Sequence, residues 1–196
     1  MAAARIRRRR PKTPARKAAA RLPGDRAGAD AVARMIRVDH AGEYGAARIY
    51  DGQLAVLKDS PAATAVRRMA AQEKRHLERF DTLIAERRVR PTALAPLWHF
   101  AGYALGAATA LMGEHAAMAC TVAVEEVIDE HYRHQLEALG DADTGLATIV
   151  ADFRADEIEH RDTALKHGAA ETPGYPVLSA AIKAGSRLAI WLSTRI

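Results

Sequence analysis

The chain has 196 residues, enough for one domain with a real hydrophobic core. Aromatic residues make up only 5% of it, alanine is abundant and β-branched runs are few, which favours helix over sheet. A single cysteine, Cys120, excludes a disulfide framework and any cysteine-rich metal site, and is expected to be a small buried residue.

The formal net charge of +5 belongs to one end. Residues 1–24 hold nine Arg and Lys and no acid, which leaves 20 basic against 24 acidic residues in the remainder, a net of −4. A basic, disordered tail over 1–24 and a helical domain over 25–196 are therefore expected. The tail has the composition of a mitochondrial presequence, or of an arm drawn to anionic lipid. No apolar run follows it, so it is not a secretory signal. The mildly acidic body has no basic stripe with interleaved aromatics, which argues against nucleic acid as a partner.

From about Asp25 to Lys58 there is no proline, and Val32, Met35, Ile36, Ile49, Leu54 and Leu57 fall near helical spacing. Asp59-Ser60-Pro61 then supplies a stop, an N-cap and a first-turn proline for a second helix, which runs to about Arg88. Its apolar stripe is Val66, Met69, Leu77, Phe80 and Ile84. Beyond the loop marked by Pro91 and Pro96, Leu97 to Met112 reads as a third helix. Residues 91–113 contain no Asp, Glu, Lys or Arg over 23 positions. That approaches the roughly 20 needed to span a bilayer, but the alanine and glycine content, with Gly102 and Gly106, favours close helix packing over crossing.

A fourth helix follows Gly113 and ends at Leu139, with Gly140 as its stop. The fifth runs from about Asp143 to His167, before Gly168. Thr172 to Pro176 is a turn, and Val177 to Thr194 a sixth helix. The order is long, long, shorter and apolar, and then the same trio again. Short loops imply antiparallel neighbours, so the expected fold is an all-α four-helix bundle with two additional helices and an internal two-fold repeat.

Two Glu-x-x-His steps, Glu73 to His76 and Glu157 to His160, each follow an isolated glutamate: Glu43 precedes Glu73 by 30 residues and Glu125 precedes Glu157 by 32. With 12 Glu and 8 His in the chain, random placement gives roughly half of one such step. The weight lies in the matched register, since Glu43 to Glu125 is 82 residues and Glu73 to Glu157 is 84. This is the ligand pattern of a two-metal carboxylate site in a four-helix bundle. At i and i+3 on a helix, Glu and His share one face and both reach one ion. Glu43 and Glu125, from the other two helices, are expected to bridge the two ions. Carboxylate and imidazole without thiolate suit iron or manganese, with open positions for O₂. Four carboxylates balance two divalent ions. Of the adjacent Glu125 and Glu126, Glu125 lies one turn from Thr121 and Ile128 on the more apolar face and is the expected ligand.

Asp39, one turn before Glu43, and Asp156, one turn before His160, are candidates to orient a ligand histidine; an ordinary surface aspartate is the competing reading. His40, His115, His131 and His134 have no matched partner and read as satisfied or solvated. Tyr44, Tyr50, Tyr103 and Tyr132 read as core, with a substrate channel as the alternative. The sixth helix places Leu178, Ile182, Gly185 and Leu188 on one face and Lys183 and Arg187 on another, the pattern of an interfacial helix. With the third helix it would form an apolar surface for a membrane; burial in the domain or a dimer interface competes with that reading.

Several stretches resemble the signatures of the demethoxyubiquinone hydroxylases: Arg37-Val38-Asp39-His40-Ala41-Gly42-Glu43-Tyr44-Gly45-Ala46, Glu73-Lys74-Arg75-His76-Leu77, Cys120-Thr121-Val122-Ala123-Val124-Glu125-Glu126-Val127-Ile128 and Asp156-Glu157-Ile158-Glu159-His160. The resemblance runs from about Asp30 to the C-terminus. It implies a ferritin-like di-iron monooxygenase of ubiquinone biosynthesis that hydroxylates the quinone ring with O₂. Two Fe ions would be held by Glu43, Glu73, His76, Glu125, Glu157 and His160, with NADH or the quinol as reductant and no catalytic residue beyond the ligands. It also places His131 and Tyr132 near the active site. The implied substrate is a polyprenylated quinone met at a membrane surface; a lipid-binding partner of the same pathway and self-association stay open. Little room precedes the first helix for a separate presequence, so the cytoplasmic face of a bacterial membrane is expected, with the matrix side of the mitochondrial inner membrane as the alternative. The rival readings are a rubrerythrin-like peroxide-handling protein and an iron-storage protein.

Overall fold

The protein is described here by a computed structural model over residues 28–196; the expected basic tail and the first residues of the predicted domain lie outside the described residues. The described chain forms six α-helices and no strand: α1 (Gly28–Leu57), α2 (Pro61–Glu86), α3 (Ala95–Leu111), α4 (Glu114–Leu139), α5 (Thr144–Lys166) and α6 (Tyr175–Ser193), with a 3₁₀ turn at Ala169–Glu171. This is the all-α, ferritin-like arrangement expected.

Local chemistry sets the boundaries. The Ser60 hydroxyl accepts from the Ala63 amide at 3.3 Å and Pro61 occupies the first turn of α2. Asp143 caps α5 by accepting from the Leu146 amide at 3.0 Å. Gly140, at φ +47°, lets the chain leave α4 in a conformation that other residues adopt at a cost. Helices α3 and α6 each start two residues earlier than the sequence pattern predicts, because Pro96 and Pro176 are accommodated in their first turns.

Helix α1 packs on α2 and α3, and α4 on α5 and α6. The α1–α3 contact is backbone-close. A Cβ at Gly106 would lie 1.9 Å from the Ile49 carbonyl oxygen, and one at Gly52 would lie 2.2 Å from that of Tyr103. The uncharged third helix is thus a packing helix, and no described helix is long and apolar enough to cross a membrane.

The core divides along the bundle. One cluster gathers Tyr50, Val66, Met69, Met118 and Val122, the other Ile36, Phe80, Tyr132, Leu146 and Val150. Glu73 and His76 lie on α2 between Met69 of the first cluster and Phe80 of the second. The acid groups are therefore fixed at mid-bundle with apolar packing above and below.

The expected faces of α6 are corrected. Ile182 is buried and Leu178 packs against the core, while Lys183 and Arg187 pair with Glu126 and Glu130 of α4. The outward stripe is Val177, Ala181, Ala184, Leu188 and Trp191. The packed side of α6 gains the burial of Ile182 and acidic partners on α4 for its two cations, and leaves these apolar side chains in water.

Candidate metal centre

Glu43 of α1, Glu73 and His76 of α2, Glu125 of α4, and Glu157 and His160 of α5 are each at most 1% exposed. They form two groups, Glu43, Glu73, His76 and Glu157, and Glu73, Glu125, Glu157 and His160, with ligand atoms inside each group within 4.8 Å of one another. The carboxylates common to both are Glu73 and Glu157, whereas Glu43 and Glu125 belong to one group each. The expected sharing by Glu43 and Glu125 is thus not the one the grouping favours. The reason lies in the helix arrangement: α2 and α5 face each other, so each histidine meets the glutamate of the opposite pair. His76 Nδ1 lies 3.2 Å from Glu157 Oε1, and His160 Nδ1 lies 3.1 Å from Glu73 Oε1. The lone glutamates approach from α1 and α4, on the two flanks.

The donor set fits a pair of cations. Glu43 Oε2, both oxygens of Glu73, His76 Nδ1, Glu125 Oε2 and Glu157 Oε1 are buried with no hydrogen-bond partner. Orphaned groups of this kind are costly, and here they converge. Burial, then the neighbouring carboxylates, push Glu73 and Glu125 well above the usual carboxylate range. Burial lifts Glu157 to about 7 against the pull of His76. Burial works against a charged His76, yet the carboxylates of Glu157 and Glu43, 3.2 and 3.5 Å from its Nδ1, raise it to about 10, while burial lowers His160. One imidazolium cannot balance four buried carboxylates; two divalent ions can, and carboxylate with imidazole suits iron or manganese.

Around the six lies an ordered shell. Tyr50 donates to Glu125 Oε1 at 2.8 Å, and Tyr132 donates to Glu43 Oε1. His76 Nε2 meets Asp156 Oδ2 at 3.0 Å, and His160 Nε2 meets Gln72 Oε1 at 3.2 Å. Asp156 therefore pairs with the histidine of the opposite helix, not with His160 of its own. Asp39 touches neither: it is buried, and accepts from His131 Nε2 at 3.1 Å and Gln135 Nε2 at 2.6 Å. The Phe153 ring stacks on His76 with centroids 3.9 Å apart and closes that side. Glu126 turns away to Lys183.

Of the remaining residues singled out, His40 meets Asp81 at 2.9 Å, His115 lies 3.8 Å from Glu171, and His134 lies beside Arg133. Tyr44 bonds His99 at 2.7 Å, and Tyr103 lies beneath Arg48. Two contacts escaped the sequence reading, Tyr50 on Glu125 and Gln72 on His160. Signals for both existed. Tyr50 and Tyr132 each stand seven residues after a lone glutamate, and Gln72 precedes Glu73 as Asp156 precedes Glu157.

Beside the acid groups, an apolar cavity of about 260 Å³ opens between α1, α3, α4 and α6, lined by Gly42, Ile49, Trp98, Leu105, Val124 and Ile190 among others. Gly42 and Val124 are the chain neighbours of Glu43 and Glu125. A bond of 3.1 Å from Trp98 Nε1 to Ser193 Oγ ties α3 to α6 across it.

A family model described as Ubiquinone biosynthesis protein COQ7 matches residues 30–193. A 3-demethoxyubiquinol 3-hydroxylase of Rhodospirillum rubrum is 57% identical over 177 residues, 90% of this chain and 84% of the relative. The mitochondrial NADPH-dependent 3-demethoxyubiquinone 3-hydroxylase of Homo sapiens is 51% identical over 170 residues, 85% of this chain and 78% of the relative. The mitochondrial 5-demethoxyubiquinone hydroxylase of Saccharomyces cerevisiae is 42% identical over 180 residues, 83% and 77% of the two chains.

Proposed function

The chain belongs to the family of Ubiquinone biosynthesis protein COQ7, and from that premise we propose that it hydroxylates the ring of demethoxyubiquinone or its quinol, using O₂, at two irons held by Glu43, Glu73, His76, Glu125, Glu157 and His160. The observation that carries this reading is the pair of buried groups sharing Glu73 and Glu157. When bound, the iron pair supplies activation of O₂, so that one oxygen atom enters the ring and the other leaves as water.

The protein's own part is positional. Glu73 and Glu157, common to both groups, would each lend a carboxylate to both ions. Tyr50 and Tyr132 each fix one oxygen of a lone glutamate and leave the other free for an ion. Phe153 and the two core clusters keep water from the acid groups. The apolar cavity holds the ring and the start of its prenyl tail beside Glu43 and Glu125. Inserting one oxygen atom of O₂ consumes two electrons and two protons; a reduced nicotinamide or the quinol is the donor, and the relatives named NADPH-dependent favour the nicotinamide.

A membrane surface is the natural source of such a substrate. The outward face of α3 carries Leu97, Phe100, Leu111 and Met112 without a charge, that of α6 carries Val177, Leu188 and Trp191, and the cavity lies between the two helices. These faces support peripheral attachment. The relatives named mitochondrial support the mitochondrial alternative, and the more similar Rhodospirillum rubrum relative, not so named, supports a bacterial membrane.

The test joins metal and product. The purified chain is expected to hold two irons, and Glu157→Ala to fold but lose both the metal and quinone hydroxylation. A strain lacking the gene is expected to accumulate demethoxyubiquinone, cleared when the gene is restored. Full hydroxylation by Glu157→Ala would sink the reading.

A further inference from the structure

His76 and His160 turn Nδ1 toward the shared carboxylates and Nε2 away from them, but the outer nitrogens meet unlike partners. Asp156 Oδ2 lies 3.0 Å from His76 Nε2, and Gln72 Oε1 lies 3.2 Å from His160 Nε2. The pairing crosses between helices. Asp156 precedes Glu157 on α5 and serves the histidine of α2, and Gln72 precedes Glu73 on α2 and serves the histidine of α5. The two partners correspond in place and differ in charge.

That difference acts on the inner nitrogens. With Nδ1 given to a metal ion, Nε2 carries the proton and donates outward. A carboxylate acceptor stabilises the positive charge that the ring gains on binding a cation, and so makes Nδ1 the stronger donor; a neutral amide does this less. The Asp156 side chain is 35% exposed, so water weakens the effect without cancelling it. The inner groups offer no comparable asymmetry. Each has three carboxylates and one imidazole, both share Glu73 and Glu157, and each lone glutamate accepts from a tyrosine. Phe153, stacked on His76 alone, brings no charge.

Resting on the two-ion reading given under Proposed function, the geometry points to an unequal pair. The group containing His76 takes the first cation and the group containing His160 the second, and Asp156 and Gln72 are the positioning residues that set this order.

The test is a titration of the metal-free full-length chain with Co(II), followed by visible absorption and independent of turnover. Two steps are expected, the tighter at least about tenfold stronger, the lower end of the 10–100-fold effect of partners outside the ligand set. Asp156→Asn is expected to weaken the tighter step by about tenfold and leave the other, and Gln72→Glu to tighten the weaker step. Two equal steps in the wild type, or Asp156→Asn acting on the weaker step, would overturn the inference while leaving the metal centre intact. Uptake of no Co(II) would overturn the metal centre itself. If one variant fails to fold, the wild-type separation and the other variant still decide.

Discussion

Tyr50 of α1 donates its hydroxyl to Glu125 of α4 at 2.8 Å, while Tyr132 of α4 donates to Glu43 of α1. Each lone glutamate is thus held by a tyrosine from the helix that carries the other, and one carboxylate oxygen of each is left unpaired. Tyr50→Phe removes the donor and keeps the ring in the core. Metal affinity is expected to fall by about tenfold, with helical content unchanged. Competition with a chelator measures it; unaltered retention would show that the hydroxyl does not orient Glu125.

The register of glutamates and histidines made the six acid and imidazole positions legible in the sequence, because period and spacing put them on matching helix faces. Which carboxylates are common to both groups was not legible. It depends on α2 facing α5 across the bundle, which spacing within a helix does not encode. The partner of Asp156 was hidden for the same reason: its own His160 is one turn away, yet the shorter reach is to His76 on the opposite helix. For α6, hydropathy showed an apolar side and a cationic side, but the acids that claim Lys183 and Arg187 lie on α4.

Two kinds of helical glycine should respond oppositely to alanine. At Gly106 a Cβ would meet the Ile49 carbonyl oxygen at 1.9 Å, so Gly106→Ala must push α3 from α1, at a cost of about 3 kcal/mol. At Gly185 nothing lies within 4 Å of a new Cβ, and alanine there is expected to stabilise by roughly 0.5–1 kcal/mol through helix propensity. Denaturant unfolding of the two variants gives the signs. Equal effects would remove the distinction between glycines that a close helix contact requires and glycines that face open space.

Asp143 caps α5 and bonds Arg87, and that bond, with the Leu146 amide, holds its carboxyl below the usual range. A depressed folded-state value means that the stabilisation is present above the unfolded-state value and is lost as pH falls through the folded one. Asp143→Ala is expected to cost about 1–2 kcal/mol at neutral pH, chiefly through the cap because Arg87 is partly solvated. The gap from wild type should close as pH falls below about 4. A gap that persists in acid would assign the loss to packing.

Phe100 and Trp191, 72% and 50% exposed, stand on the outward faces of α3 and α6. Inserting each into a lipid surface would bury apolar area worth about 1.5–3 kcal/mol if complete. Phe100→Ser with Trp191→Ser is expected to reduce binding to phospholipid vesicles at least about tenfold, with iron content unchanged. Undiminished sedimentation with vesicles would move the membrane contact elsewhere.

The sharing of Glu73 and Glu157 makes the ligands unequal in a countable way. Removing Glu43 leaves Glu73, Glu125, Glu157 and His160 as a complete four-ligand group, and removing Glu125 leaves Glu43, Glu73, His76 and Glu157. Glu43→Ala and Glu125→Ala are each expected to retain one of two irons. Glu73→Ala strips a carboxylate from both groups and leaves the facing histidines to compete for Glu157, so it should retain neither. Iron analysis of the purified variants reads the count directly. If the lone glutamates bridged instead, the pattern would reverse, with Glu43→Ala losing both ions and Glu73→Ala keeping one.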